Sequence, residues 1–181
     1  MKRRHWLLGG AASAAVAAGV GWQRWFDGRL APAPAVAEAA AESSAGGLWQ
    51  MSFEQPDGGR LLMSTLRGQP LLLNFWGSWC PPCVKEMPEL DRFARQFGAQ
   101  GWKVVGLAVD NAVAVREFLA RAPVGYAIGL AGFDGLALTR ALGNDQAGLP
   151  FTVAFNRQGA LFRRKAGATS FDELAAWARL L

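Results

Sequence analysis

The sequence predicts a layered α/β fold in which helices flank a central mixed β-sheet. Apolar runs of strand length alternate with amphipathic runs of helix length from about Leu48 to the C-terminus. Leu71–Trp76 and Lys103–Val109 are almost continuously apolar, which is typical of central strands buried on both faces. Two later apolar runs are separated by a short turn, so we expect an antiparallel pair in the same sheet.

The first element of the folded part is a predicted β-hairpin. The apolar runs Leu48–Phe53 and Arg60–Met63 flank Pro56–Gly59, whose proline, aspartate and glycines favour a turn. Because this hairpin precedes the first central strand, we expect it to form an N-terminal extension of the sheet.

A long helix is predicted directly after the first central strand. Gly77 and Ser78 turn the chain, and the helix is expected to run from near Cys80 to about Phe97. Its apolar residues recur at i, i+3, i+4 and i+7, so one face should pack against the sheet. Pro88 lies inside this helix and is expected to kink it.

The rest of the chain alternates between helices and strands. The expected elements are a helix capped by Asp110 or Asn111, a short strand Ala127–Leu130, a short helix Gly132–Leu142, two strands Phe151–Phe155 and Ala160–Lys165, and a final helix capped by Ser170. A hairpin turn at Asn156–Gly159 is expected to join the last two strands.

The N-terminal part has the composition of a targeting segment followed by a linker. Lys2–Arg4 precede an apolar run rich in alanine and glycine, so residues 1–26 are predicted to be a cleaved signal or an uncleaved membrane anchor. The arginine pair also resembles a twin-arginine export signal. Residues 27–47 predict a flexible Pro/Ala/Ser/Gly linker before a folded domain at 48–181. We therefore expect the domain to face the periplasm from the bacterial inner membrane, or to be soluble in the periplasm after signal cleavage.

Charge and composition argue against two classes of function. The formal net charge is +5, but the basic residues form no dense stripe, so nucleic-acid binding is not expected. The chain has two cysteines and one histidine, His5, which lies in the leader. Because a structural zinc site needs about four ligands, no metal site is expected.

The two cysteines lie in the motif Trp79-Cys80-Pro81-Pro82-Cys83. At the start of a helix, free N–H groups and the helix dipole stabilise a thiolate. We therefore expect Cys80 to be the exposed attacking nucleophile and Cys83, one turn later, to be the less exposed resolving thiol. A permanent structural disulfide across so small a loop would stabilise little. The motif favours thiol–disulfide exchange, with no cofactor beyond the redox-active disulfide.

The segment from Leu72 to Cys83, Leu-Leu-Asn-Phe-Trp-Gly-Ser-Trp-Cys-Pro-Pro-Cys, resembles the thioredoxin superfamily. More closely, the chain is similar to the membrane-tethered extracytoplasmic branch that includes TlpA, ResA and CcmG. Asn74 stands where cytoplasmic thioredoxins carry a buried aspartate, and Glu86 and Pro88 match positions after the CxxC of that branch. Gly148–Val153 matches the Gly-x-Pro segment of the family.

The resemblance covers about residues 48–181 and implies a thioredoxin fold with a cis peptide bond before Pro150, beside the cysteines. It implies that Cys80, Cys83 and Glu86 are catalytic, and that the substrate-binding residues are Trp79, Pro81, Pro82, Leu149 and Pro150. The residue before the cis proline would offer backbone groups to an extended client chain. Two roles remain open for Glu86: a proton relay to the resolving thiol, or a solvated glutamate that complements the helix dipole.

The expected function is that of an extracytoplasmic protein-disulfide reductase. The resemblance implies oxidised clients such as apocytochrome c or a copper-site assembly protein, and a membrane thiol-electron transporter as donor. Two alternatives remain open: an oxidant that introduces disulfides, and a tethered binding module in which the cysteines are incidental. A thiol peroxidase is not favoured, because those enzymes carry their cysteine in a Thr-x-x-Cys setting and Phe75–Trp79 precede Cys80 here. The direction of electron flow depends on the relative stability of the two redox forms.

Overall fold

A seven-stranded mixed sheet lies at the centre of the protein, with the strand order β2-β1-β5-β4-β3-β6-β7. The computed structural model describes residues 47–181. The predicted leader (1–26) and all but the last residue of the predicted linker (27–47) lie outside the described residues. Among residues 47–181, no helix is long and apolar enough to cross a membrane.

The sheet combines parallel and antiparallel pairing. Its strands are β1 (Ser52–Glu54), β2 (Arg60–Leu62), β3 (Leu71–Trp76), β4 (Lys103–Ala108), β5 (Ala127–Leu130), β6 (Phe151–Phe155) and β7 (Leu161–Ala166). β3, β4 and β5 are mutually parallel, β6 is antiparallel to β3, and β7 is antiparallel to β6. The β1–β2 hairpin joins the sheet where β1 pairs antiparallel with β5. The predicted mixed sheet and N-terminal hairpin are confirmed.

Four α-helices lie entirely within residues 47–181; the first three connect strands and the last follows β7. They are α1 (Pro81–Phe97), α2 (Ala112–Arg121), α3 (Gly135–Ala141) and α4 (Phe171–Ala178). α1, α2 and α4 contribute to the apolar cluster on one face of the sheet, and this cluster includes both cysteines. α3 and the segment around Leu48 and Trp49 pack against the cluster on the other face. The alternation of side chains along β3 and β4 supplies both clusters, which explains why these strands are apolar throughout.

Several boundaries differ from the sequence expectation. Gly47 and Leu48 are helical and Trp49 and Gln50 form a turn, so the predicted strand does not begin at Leu48. The Trp49 indole is buried there and donates a hydrogen bond to the Gly159 carbonyl at 3.0 Å. Met63 begins a 3-10 turn after β2. Asn111 caps α2 by accepting a hydrogen bond from the Ala114 N–H at 2.9 Å. α1 continues through Pro88, and the predicted kink stays a prediction.

Candidate active site

The two cysteines form a disulfide at the N-terminus of α1. The Sγ atoms are 2.04 Å apart and the Cα atoms 5.3 Å apart. Cys80 is the N-cap residue of α1, and Cys83 is its third helical residue. The sheet explains this placement, because β3 ends at Trp76 and only three residues separate it from the helix cap.

The segment between β3 and α1 is a tight turn fixed by its own side chains. The Cys80 N–H donates to the Gly77 carbonyl at 3.1 Å. The Trp79 indole folds back over Gly77, where a Cβ atom would lie 2.7 Å from Nε1, so Gly77 needs to be glycine. The same indole nitrogen donates to the Val109 carbonyl at 3.2 Å. Trp79 therefore lies beside Cys80 in a fixed position, with 58% of its surface exposed.

The two prolines limit the electrostatic effect that the helix terminus has on Cys80. Pro81 and Pro82 are exposed and occupy the first two helical positions. Neither has a backbone N–H, so Cys83 is the first helical residue that can offer one. The Val84 N–H donates to the Cys80 carbonyl at 3.1 Å. The helix dipole still favours a thiolate here, but with fewer N–H donors than a proline-free first turn would have.

The expected exposure of Cys80 is wrong for the disulfide form. Cys80 is 4% exposed and Cys83 is fully buried, because both belong to the apolar cluster beneath α1. The expected order of exposure is nevertheless correct. The exposed groups around the disulfide are Trp79 and the two prolines.

The peptide bond between Leu149 and Pro150 is cis, as the resemblance implied. β6 pairs with β3 so that Phe151 lies opposite Phe75, which places Pro150 at the end of β3 from which the cysteine turn begins. Leu149 is half-buried and packs against the cluster that contains both cysteines. Asn144 fixes the approach to this peptide bond, since its Nδ2 donates to the Gly148 carbonyl at 2.7 Å.

Glu86 lies in a buried hydrogen-bond network, which excludes the solvated-glutamate interpretation. Its side chain is 3% exposed, and Oε1 accepts from Asn74 Nδ2 at 2.7 Å. Oε2 accepts from the Thr169 N–H at 2.6 Å and from Thr169 Oγ1 at 3.0 Å. Asn74 Nδ2 also donates to Thr152 Oγ1 at 3.0 Å. One carboxylate therefore connects α1 to β3 and to the loop before α4.

Burial raises the pKa of the Glu86 carboxyl above its ordinary value of 4.5. The hydrogen bonds from Thr169 and Asn74 and the positive charge of Lys165 act in the opposite direction without cancelling the effect of burial. Lys165 lies opposite Thr152 on the neighbouring strand and forms an ion pair with Glu173 of α4. Glu86 is thus a carboxyl that is easier to protonate than one in water.

A groove of about 520 Å³ connects the surface to this buried carboxyl. Pro82 and Lys85 line it on the side of α1, and Thr169 lines it on the side of the loop before α4. Glu86 itself lines the groove, and Pro82 at its edge lies between the two cysteines in sequence. Among residues 47–181, no group of three His, Cys, Asp or Glu side chains is arranged to hold a metal ion.

Sequence reasoning missed three residues that shape this site: Ser78, Thr152 and Thr169. Thr169 contacts Glu86 across 83 positions of sequence, and Thr152 contacts Asn74 across 78. A signal existed for Thr152, because strand alternation places it on the same face as Ala154, two residues on. The loop position of Thr169 carried no comparable pattern.

The fold and the site together define a thioredoxin-fold protein with a disulfide at the N-terminus of the helix that follows a central strand. The chain belongs to the Redoxin family, which matches residues 32–176. The predicted thioredoxin fold and the resemblance to the TlpA/ResA/CcmG branch are both confirmed.

Curated relatives and solved structures agree on this assignment. The chain is 32% identical over 112 residues to the thiol-disulfide oxidoreductase ResA of Bacillus subtilis, covering 61% of this chain and 60% of that protein. It is 34% identical over 110 residues to the thiol:disulfide interchange protein DsbE of Pseudomonas aeruginosa, covering 60% and 57%. The match therefore spans less than two thirds of the length of either relative. MTB DsbF, solved in mixed oxidised and reduced forms, has a TM-score of 0.63 at 26% identity, covering 74% of this chain and 96% of that one.

Proposed function

We propose that the protein is an extracytoplasmic thiol-disulfide oxidoreductase that reduces protein disulfides through Cys80 and Cys83. The observation that carries the proposal is the disulfide at the N-terminus of α1, at the same end of the sheet as the cis Leu149–Pro150 peptide bond. The names of the curated relatives, thiol-disulfide oxidoreductase and thiol:disulfide interchange protein, support it.

The proposed reaction transfers two electrons to the client. The Cys80 thiolate attacks one sulfur of the client disulfide, which forms a mixed disulfide and releases the other client sulfur as a thiolate. The Cys83 thiolate then attacks Cys80 Sγ, which closes the Cys80–Cys83 disulfide and releases the second client thiolate. Two protons from solvent or from the site complete the client thiols. A dithiol donor reverses these steps to restore the reduced protein.

Glu86 is proposed as the proton donor and acceptor for Cys83. It lies one turn beyond Cys83 on α1, and its pKa is raised by burial, so it can hold a proton closer to neutral pH than an exposed glutamate. Asn74, its hydrogen-bond partner on β3, cannot titrate, so Glu86 is the titratable acid of this buried network. The groove past Pro82 supplies a route for proton exchange with solvent.

Leu149 and Pro150 are proposed to bind the client backbone, with Trp79, Pro81 and Pro82 forming the surface around the reacting sulfur. Trp79 and the two prolines are exposed next to Cys80, whereas the sulfur atoms are nearly covered. Apocytochrome c or a copper-site assembly protein is the proposed client, and a membrane thiol-electron transporter the proposed donor. The domain would act on the periplasmic side of the inner membrane, anchored or released by residues 1–26.

A trapping experiment tests the roles of the cysteines. In the Cys83→Ala variant, the mixed disulfide with an oxidised peptide carrying a CxxCH sequence should persist, because no resolving thiol remains. Non-reducing electrophoresis and mass spectrometry would locate the link at Cys80. The matched Cys80→Ala variant should form far less adduct, since Cys83 is fully buried. A stable adduct only in Cys80→Ala would reverse the assignment.

The reduction potential decides between reductant and oxidant. A value more negative than about −200 mV against glutathione is expected for a reductant, whereas a value near −120 mV would mark a strong oxidant. A double alanine variant of both cysteines that still complements a deletion strain would support the binding-module alternative instead.

A further inference from the structure

Asp110, at the end of β4, holds the turn that presents Cys80. Its side chain is 4% exposed, and Oδ2 accepts from the Ser78 N–H at 2.9 Å and from Ser78 Oγ at 2.6 Å. Its other oxygen accepts from the Asn111 N–H at 2.8 Å. Asp110 does not cap α2, since Asn111 has that role, and one of its two carboxylate oxygens is committed to the turn between β3 and α1.

A second contact reaches the next residue of the turn. The Trp79 indole donates to the Val109 carbonyl, and the Val109 N–H donates to the Trp76 carbonyl at 2.7 Å. Two successive residues of β4 and its extension therefore hold two successive residues of the turn. Cys80 follows immediately, so these contacts fix the position of the chain from which its sulfur projects.

We infer that Asp110 is a positioning residue that holds the Ser78–Trp79 turn in place and thereby favours closure of the Cys80–Cys83 disulfide. The inference rests on the proposed function for its biological meaning, since disulfide closure is the step that completes client reduction. A disulfide forms readily when its two thiols are held close together, and a turn that is free to move in the dithiol form opposes closure. Hydrogen bonds to an ionised acceptor are among the strong ones, so the carboxylate can provide this restraint.

Weakening the restraint should favour the dithiol form. In Ser78→Ala, which loses only the hydroxyl contact, the equilibrium constant for disulfide closure should fall about threefold. In Asp110→Asn, which loses the charge and one acceptor, it should fall about tenfold, and tenfold corresponds to a potential less negative by about 30 mV. The double variant should show less than the sum of the two shifts in potential, because both single changes act on the same contact between Asp110 and the Ser78 hydroxyl.

Asp134→Asn is the matched control. Asp134 is exposed, makes no side-chain capping bond, and follows β5, which runs parallel to β4 and ends at the same edge of the sheet. It undergoes the same loss of charge without touching the turn. The equilibrium constant for disulfide closure in Asp134→Asn should stay within twofold of the wild-type value.

The potential is measured by equilibrating the full chain in glutathione buffers and counting alkylated cysteines by mass spectrometry. A purely structural role for Asp110 would destabilise both redox forms equally and leave the potential unchanged. Unchanged potentials in both Ser78→Ala and Asp110→Asn, or a shift to more negative values, would overturn the inference. If Asp110→Asn does not fold, Ser78→Ala and Trp79→Phe carry the test, the latter lacking the indole donor to Val109.

The potential measurements test the role of Asp110 independently of the proposed reductase function. Wild-type protein that fails to reduce any CxxCH peptide disulfide would contradict the proposed function, yet the shift in potential would still report whether Asp110 holds the turn. Conversely, active wild-type protein with unshifted variants would contradict only the inference.

Discussion

Replacing Glu86 by glutamine removes a buried titratable group while keeping its size and most of its hydrogen bonds. The glutamine carbonyl can still accept from the Thr169 N–H, and its amide can donate to Asn74 Oδ1, which has no hydrogen-bond partner among the described residues. This donation requires only that the Asn74 amide rotate. The substitution should therefore change stability by an amount that is nearly independent of pH, plus a part that comes from the titration of Glu86.

The pH-dependent part has a definite sign. The pKa of Glu86 is about 4.5 in the unfolded chain and is raised in the folded protein, chiefly by burial. Below the unfolded pKa the carboxyl is protonated in both the folded and the unfolded state, so its ionisation does not lower the free energy of unfolding. As the pH rises, the unfolded chain releases its proton first, so wild-type stability falls until the pH passes the folded pKa. The total loss is about 1.4 kcal/mol for each unit by which the folded pKa exceeds the unfolded one.

Urea unfolding of the oxidised protein at half-unit steps from pH 4 to pH 8 measures the pH-dependent contribution of Glu86 to the free energy of unfolding. The free energy of unfolding of Glu86→Gln minus that of wild type should rise with pH above 4.5 and then level off. Glu117→Gln is the control, since Glu117 lies exposed on α2. Other carboxylates titrate equally in wild type and variant and cancel in the difference. A flat difference curve, or one that falls with pH, would refute the claim that burial dominates the environment of Glu86.

Two further predictions, made with three substitutions, concern the surroundings of the site. Lys165→Gln removes the positive charge that lowers the pKa of Glu86. In this variant, the fall in unfolding free energy that Glu86 causes should therefore extend to higher pH in the same urea experiment. An unchanged pH range for this fall would show that the Lys165 charge does not affect the carboxyl. Gly106→Ala would place a Cβ 2.8 Å from Ile128 Cδ1 and should cost about 1–3 kcal/mol of unfolding free energy. Gly98→Ala, with nothing within 4 Å and φ of −58°, should instead stabilise by about 0.4–1 kcal/mol, and equal effects would contradict the steric argument.

The order of the elements could be predicted from local patterns. Continuous apolar runs identified β3 and β4, turn residues identified both hairpins, and the cysteine spacing identified the start of α1. These features depend on neighbouring residues, which a sequence displays directly. The boundary errors have a different origin: Trp49 leaves the predicted strand to bond Gly159, which lies 110 positions away.

The environment of the site residues could not be predicted, because it depends on distant contacts. Glu86 follows Cys83 by one turn on a helix, and an early helical glutamate is ordinarily solvated. Its burial results from Thr169 and Asn74, which approach from a loop and from β3. Either Asp110 or Asn111 was expected to cap α2, and Asn111 does so. The pairing of β3 with β4 brings Asp110 to Ser78 instead.

The difference in burial between the two cysteines supports the proposed roles of Cys80 as nucleophile and Cys83 as resolving thiol, which the helix dipole alone does not explain. Pro81 and Pro82 remove two of the N–H groups that would otherwise stabilise a thiolate at Cys80, and both prolines are exposed beside this nearly covered residue. Cys83 is fully buried in the apolar cluster beneath α1, whereas Cys80 keeps a small exposed fraction, so we expect a thiolate from another protein to attack the disulfide at Cys80. Exchange with a partner is therefore expected to begin and end at Cys80. Because the same geometry applies to client and donor, the direction of electron flow is set by the potential, and the turn held by Asp110 is one of its determinants.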